Sequence, residues 1–326
     1  MNLLRVAPLL LSAAGLWGCA GQGGPARYYR QRESPKFPLV TPLLHIDDTM
    51  DFKELRSVRE DVADLARRRV AAGDGVEAVA VYFRDLNLGP WFGVNEREPF
   101  IPASLLKVPI MMVLFKKAEE EAPELLKMRI TSDIDYSKDT DQGLERDQQV
   151  QPGKTYTIEE LVALMVVHSD NRAHELLLDF LDRGDFKHLF EDLSLPPPDI
   201  RGQESYLSAR NYATFFRILY NASYLSRSAS NRVLELLSRS SYEEGLVAGL
   251  PPGTKVAHKF GIRTYDDKPD LHLHDCGIVY RPGMPYLLCV MTRGRSRPAQ
   301  ADVIRSIAAL VYGAAVERGG RKEARP

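Results

Sequence analysis

The sequence has little cysteine and tryptophan, no surplus of charge of either sign and no long apolar run. Three cysteines in 326 residues cannot build the disulfide framework that holds small secreted domains together. Lys plus Arg number 43 against 44 Asp plus Glu, a formal net charge of −1. Phosphate-backbone recognition needs a basic excess, so nucleic acid is not an expected partner. No stretch approaches the roughly 20 apolar residues of a membrane-spanning helix. There is no internal repeat. His168, His174 and His258 lack the helical spacing with a carboxylate that marks a zinc site, so they read as surface or packing residues and no metal or organic cofactor is expected. What is present is 44% hydrophobic and 27% charged residues, a balance that argues against broad disorder. The length suits one large domain or two intertwined ones.

The N-terminus is organised differently from the rest. Arg5 precedes an apolar run from Val6 to Trp17 that ends Leu16-Trp17-Gly18-Cys19. The run is too short to span a membrane and reads as a signal peptide over residues 1–18. It resembles a bacterial lipoprotein signal, although Trp17 is bulkier than the small residue usual there. The resemblance implies cleavage before Cys19, lipid attached to that residue and anchoring of an exported protein to a bacterial envelope membrane. The alternative is an ordinary signal peptide with an incidental Cys19. Residues 19–50 are rich in Gly, Pro and Arg without periodicity and read as a tether.

Cys276 and Cys289 flank a turn signal, Pro282-Gly283-Met284-Pro285. Pairing residues symmetrically about that turn sets the two cysteines opposite each other on adjacent strands. An exported location permits a disulfide there. The other reading is two buried thiols acting as small hydrophobes, because directly opposed cross-strand cysteines fit disulfide geometry poorly.

Along the chain, Phe52, Leu55, Val58, Val62 and Leu65 predict a helix over 51–72. Strands are predicted at 76–83 and 91–94. Leu105 to Ala118 is apolar throughout and reads as a buried helix beginning beside Ser104. Residues 123–156 are polar and punctuated. A capping box, Thr157 with Glu160, opens a helix over 158–168. Further helices are expected at 171–181, 186–193, 209–220 and 231–237. After Pro251-Pro252-Gly253 the pattern changes to strands at 255–262, 271–280 and 286–292. A helix over 301–316 closes the chain, and 319–326 reads as a disordered tail. Strands near both ends with helices between them predict an α+β fold: one sheet from about 51–103 and 251–318, and an inserted all-α part over about 104–250.

Three short elements occur in order: Ser104-Leu105-Leu106-Lys107, Ser169-Asp170-Asn171 and His258-Lys259-Phe260-Gly261. Residues three apart on a helix share a face, so Lys107 can approach the Ser104 hydroxyl. A serine hydroxyl needs a base beside it, and a lysine serves only when burial or a second cation makes its amine partly neutral. Each element also has a plain structural reading. Ser104, Ser169 or Asp170 could cap a helix, and Lys107 could be a surface residue. Their joint order and placement favours chemistry.

The three elements resemble the S-x-x-K, S-D-N and K-T-G set of class A β-lactamases and penicillin-binding proteins, over roughly residues 52–316. The resemblance implies an antiparallel sheet flanked by helices, in the β-lactamase/transpeptidase-like fold. It implies that Ser104 attacks a carbonyl and forms an acyl-enzyme, and that Lys107 takes its proton. Ser169 would relay a proton to the leaving nitrogen. Asn171 would bind the substrate amide and steady Lys107, and Lys259 would attract the substrate carboxylate and polarise Ser169. Gly261 and Ile262 would line the substrate, with the backbone N–H groups of Ser104 and Ile262 forming the oxyanion hole.

Two departures bear on function. Phe260 stands where the family has Thr or Ser and cannot donate a hydrogen bond to a carboxylate; Arg263 is expected to take that role with its bidentate fork. The stretch Pro196 to Ser208 is short and lacks the Glu-x-x-Leu-Asn pattern that supplies the deacylating base. Asp199 and Glu204 are its only carboxylates, and Glu204 reads as a solvated turn residue. The expectation is a serine hydrolase with β-lactamase-like activity and slow deacylation. The alternatives are a D-Ala-D-Ala peptidase acting on peptidoglycan peptides, or an envelope lipoprotein that binds without turnover. A monomer is expected.

Overall fold

The computed structural model describes residues 52–133, 148–198, 206–264 and 270–323, with side chains as far as Ala315. The signal and tether segments, Cys19, Asp199 and Glu204 lie outside the described residues. The described residues open with a single 3-10 turn, Lys53–Leu55, that leads into α1 (Arg56–Ala71). Leu55, at the end of that turn, and Val58, Val62 and Ala66 of α1 are buried, while Leu65, read from the sequence as part of the stripe, is half-buried beside Ala66. Strands β1 (Val76–Asp85) and β2 (Trp91–Val94) follow as an antiparallel pair.

Helix α2 (Lys107–Glu120) is buried at every position from Lys107 to Phe115. A helix that is apolar all round belongs at the centre of a bundle, and α2 packs against α3 (Ile158–Val167), α5 (Arg183–Asp192) and α7 (Arg227–Leu237). Helices α4 (Asn171–Leu178) and α6 (Ala209–Asn221) complete this helical part. The capping box that opens α3 is formed: Thr157 Oγ1 accepts the Glu160 N–H, and the Glu160 carboxylate accepts the Thr157 N–H. The polar stretch before it contains a two-stranded ribbon, β3 (Arg129–Thr131) with β4 (Thr155–Thr157), which the sequence reading missed. Strands of three residues are too short for alternation to register.

The return to the sheet comes with β5 (Val256–Thr264), β6 (Leu271–Val279) and β7 (Tyr286–Gly294). The sheet order is β2-β1-β7-β6-β5, antiparallel at every step, so strands from both ends of the sequence share one sheet. Alternation divides the core. Ala78, Ala80 and Tyr82 face the helical part, while Val79, Val81 and Phe83 face α1 and α8 (Arg297–Glu323). Helix α8 begins four residues before the predicted start and continues through positions read as tail. Helix α7 likewise begins four residues early, because its polar first turn is held by Ser226, whose hydroxyl accepts the Ala229 N–H at 3.2 Å.

Cys276 and Cys289 pair in register across β6 and β7 and form a disulfide, so the free-thiol alternative is set aside. Where the helical part hands the chain back to the sheet, a 3-10 turn (Val247–Gly249) presses on α8. A Cβ at Gly249 would lie 2.2 Å from the Arg305 carbonyl oxygen. Gly249→Ala is therefore expected to destabilise the fold by about 1–3 kcal/mol through overpacking against backbone, read as a lower urea midpoint. An unchanged midpoint would refute this account of the packing.

Candidate active site

Ser104 sits on a turn that the backbone reaches under strain. Ala103 has φ +50, a left-handed conformation uncommon for residues with a Cβ. A 3-10 turn (Ala103–Leu106) follows and runs directly into α2, with the Lys107 N–H bonded back to the Ser104 carbonyl. Ser104 is thus no helix cap. It lies one turn before Lys107 on a continuous helical path, which puts both side chains on one face. Tyr212 of α6 pins the turn by donating its hydroxyl to the Leu105 carbonyl at 2.9 Å.

Ser169 is the second strained position, with φ +63 between the end of α3 and the start of α4. Asp170, which is buried, is the N-cap of α4. Its carboxylate accepts the N–H groups of Arg172 at 3.1 Å and of Val150 at 2.8 Å. That anchoring turns the Ser169 carbonyl toward α2. Lys107 Nζ donates to the Ser169 carbonyl and to Asn171 Oδ1 at 2.7 Å, and lies 3.3 Å from Ser169 Oγ. Burial brings the Lys107 pKa down from 10.5 to about 7, against the pull of the Asp170 and Glu175 carboxylates.

The third element arrives on β5. Gly261 lies against the Ser104 turn, where a Cβ would stand 2.8 Å from the Pro102 carbonyl oxygen. Only a residue without a side chain lets the strand come this close. Ile262 and Arg263 follow on the same strand, opposite Leu273 and His272. Lys259 is fully buried. Burial, with the Lys107 charge as a second cause, holds its pKa well below the ordinary lysine value.

The Lys259 ammonium donates to the Phe260 carbonyl at 2.9 Å and stands 3.9 Å from the centre of the Phe260 ring. Among the described residues no hydrogen bond joins it to Ser169. The Phe260 ring in turn stacks on Tyr242 at 4.4 Å. An aromatic pair therefore occupies the place of the expected hydroxyl.

Three further contributors surround the site. His258, read as a surface or packing histidine, is buried and paired with Asp275 (Nδ1 to Oδ1, 2.7 Å), whose other oxygen accepts the Leu246 N–H at 2.8 Å. Gly245 and Gly277 leave the space for this pair. Tyr242 is the second. Glu175, four residues beyond Asn171 on α4, is the third; that spacing is the one signal that could have pointed to it. Among the described residues no cluster of His, Cys, Asp and Glu is arranged to hold a metal ion, and no helix is long and apolar enough to cross a membrane.

A model of the beta-lactamase enzyme family matches residues 58–315. A mutant of PBP-A, solved as an acyl-enzyme complex with penicillin G, is 25% identical with a TM-score of 0.66, over 81% of this chain and 97% of its own. A β-lactamase from Chitinophaga pinensis is 20% identical with a TM-score of 0.68, over 79% of this chain and 99% of its own. The TLA-1 extended-spectrum β-lactamase is 18% identical with a TM-score of 0.69, over 81% and 100%. No curated protein matches the sequence.

The surroundings of Lys107 make a direct prediction. In lysine-labelled protein, NMR is expected to show an ammonium resonance titrating near pH 7, absent from Lys107→Met. If all lysine resonances titrate at their ordinary value, the buried-amine geometry is wrong.

Proposed function

The chain belongs to the beta-lactamase enzyme family, and on that footing we propose that it is a serine hydrolase that acylates itself at Ser104 with a β-lactam or related cyclic amide. The observation that carries this reading is Lys107, a buried amine three residues from Ser104 and held by Ser169 and Asn171. A structural lysine gains nothing from such burial, which costs the charged form its hydration.

In the proposed sequence, the neutral Lys107 amine takes the proton of the Ser104 hydroxyl as Oγ attacks the carbonyl carbon. The oxygen becomes an oxyanion, facing the backbone N–H groups of Ser104 and Ile262. The proton then passes from Lys107 through Ser169 Oγ, 3.3 Å away, to the amide nitrogen. The C–N bond breaks as the oxyanion collapses. The product is an ester on Ser104 that carries the amine of the opened ring, and Lys107 is neutral again.

Hydrolysis of the ester needs a water and a base. Asp170 is committed to three backbone N–H groups. Glu175 bears on Lys107 with a side chain that is 65% exposed. Asp199 and Glu204 lie outside the described residues, and the shortness of the stretch that carries them supports a long-lived acyl-enzyme. A slow second step supports a second reading of the same site, a D-Ala-D-Ala peptidase that acts on peptidoglycan peptides and that β-lactams trap. A pure binding lipoprotein would have no use for a buried amine beside a serine. The signal-like N-terminus ending at Cys19 supports work outside the cytoplasm under a lipid anchor, and the Cys276–Cys289 disulfide supports an oxidising compartment.

Intact-protein mass spectrometry with a penicillin tests the proposal. One adduct on Ser104 is expected, persisting for many minutes, and none in Ser104→Ala; labelling retained in that variant would sink it. The acylation rate is expected to rise about tenfold per pH unit below about 7 and then level off, as Lys107 loses its proton. A flat profile would remove Lys107 as the base. Gly261→Ala, which forces β5 off the Ser104 turn, is expected to slow acylation by about 10- to 100-fold. An undiminished rate would mean that the strand's close approach is not needed.

A further inference from the structure

The Ser104 turn is held on either side by a buried side chain, one from the helical part and one from the sheet. After Ser104, Tyr212 of α6 donates to the Leu105 carbonyl at 2.9 Å. Before it, His274 of β6 meets the Ile101 carbonyl through Nε2 at 2.9 Å. A carbonyl can only accept, so Nε2 carries the ring proton. The other ring nitrogen, Nδ1, accepts the Thr292 N–H of β7 at 3.2 Å. One tautomer of the neutral imidazole satisfies both contacts. His274 is fully buried, and burial foremost brings its pKa down to about 3, so the ring stays neutral through the range in which Lys107 titrates. The Phe100 ring packs edge-on against it, with 5.6 Å between ring centres.

The strand register explains why this histidine reaches the turn. His274 and Gly261 are cross-strand partners on β6 and β5, so their side-chain positions share one face of the sheet. The segment before Ser104 lies across that pair. Its Pro102 carbonyl fits where Gly261 has no side chain, and its Ile101 carbonyl meets the imidazole. One residue earlier, Phe100 exchanges both backbone hydrogen bonds with Leu207, at 3.0 and 2.9 Å. Ala103, with φ +50, sits between these ties and the Tyr212 contact. A left-handed alanine persists only where its surroundings over-determine it, and His274 supplies the tie from the sheet.

We infer that His274 is a positioning residue for acylation: its Nε2–H fixes the Ile101 carbonyl and thereby aims the Ser104 hydroxyl, with Tyr212 as the other half of the clamp. The inference rests on the Ser104 acylation proposed above. His274 acts through the backbone of the turn and takes no proton from the substrate.

Two substitutions separate the ring's two contacts. In His274→Gln the side-chain amide puts an N–H where Nε2 stood, which keeps the donor to Ile101 and gives up the Thr292 acceptor. In His274→Asn the shorter amide reaches only the Nδ1 position, which keeps the Thr292 contact and loses the Ile101 donor. Acylation by a penicillin, followed by intact mass across concentration and pH, yields a saturating rate constant, a half-saturating concentration and a pH inflection. His274→Asn is expected to lower the rate constant about 10- to 100-fold, the size proper to a misaimed nucleophile. Its half-saturating concentration is expected to stay within about twofold of the wild type, and its inflection to stay near pH 7. His274→Gln is expected to keep the rate constant within about threefold of the wild type. An undiminished rate in His274→Asn, or an equal loss in both variants, overturns the inference. So does a loss accompanied by an inflection that moves up toward the ordinary lysine value, because the whole site has then loosened. If His274→Asn fails to fold, the wild-type protein decides. Two-bond 1H–15N spectra are expected to show His274 as the neutral Nε2–H tautomer throughout the range in which Lys107 titrates, and the Nδ1–H tautomer overturns the clamp. Failure of penicillins to label Ser104 in the wild type overturns the acylation reading, and this inference with it.

Discussion

Everything in the candidate active site depends on keeping one amine out of water. Lys107 sits where an ammonium is costly to bury, and it is held there by acceptors from a single loop, the Ser169 carbonyl and the Asn171 amide oxygen. Those acceptors compensate part of the lost hydration, and the remainder appears as the lowered pKa. The loop must be rigid for this to work. Its rigidity comes from Asp170, whose carboxylate closes the start of α4 and ties down Val150, while Ser169 takes a strained backbone conformation to aim its carbonyl. Two strained residues, Ala103 and Ser169, thus flank one buried lysine.

The second constraint is the approach of a strand to a helix start. Strand β5 comes from the far end of the sequence, and it meets the Ser104 turn only because Gly261 has no side chain. Antiparallel pairing through β6 and β7 to β1 makes that approach a property of the whole sheet. The helical part is enclosed between these two chain ends. Its central helix, α2, carries Lys107 at its first position and is buried for its next eight residues, so the catalytic face and the core are one element.

Phe260 changes the electrostatics of this arrangement more than its geometry. The aromatic ring, backed by Tyr242, gives the Lys259 ammonium a π face beside the backbone carbonyl of the same residue. Behind the strand, the His258–Asp275 pair, fully buried, holds the segment that bears Tyr242 through the Leu246 N–H.

The sequence by itself determined what is local. The spacing of Ser104 and Lys107 is a helical repeat, and the capping box at Thr157 is a contact over three residues, so both could be read directly. The facing of Cys276 and Cys289 follows from the symmetry of an antiparallel hairpin about its turn. The fold class followed from the order of these elements. Only the tertiary structure decided where Lys259 points, that Phe260 stacks on Tyr242, that His258 meets Asp275, and that His274 meets the Ile101 carbonyl. Each of these joins residues 16 or more positions apart or on different faces, where no periodicity links them, or turns on a side-chain direction set by its neighbours. A sequence records which groups are present and how they repeat; packing alone decides which of them share one low-dielectric space, and the pKa of Lys107 and the aim of Lys259 are consequences of that sharing.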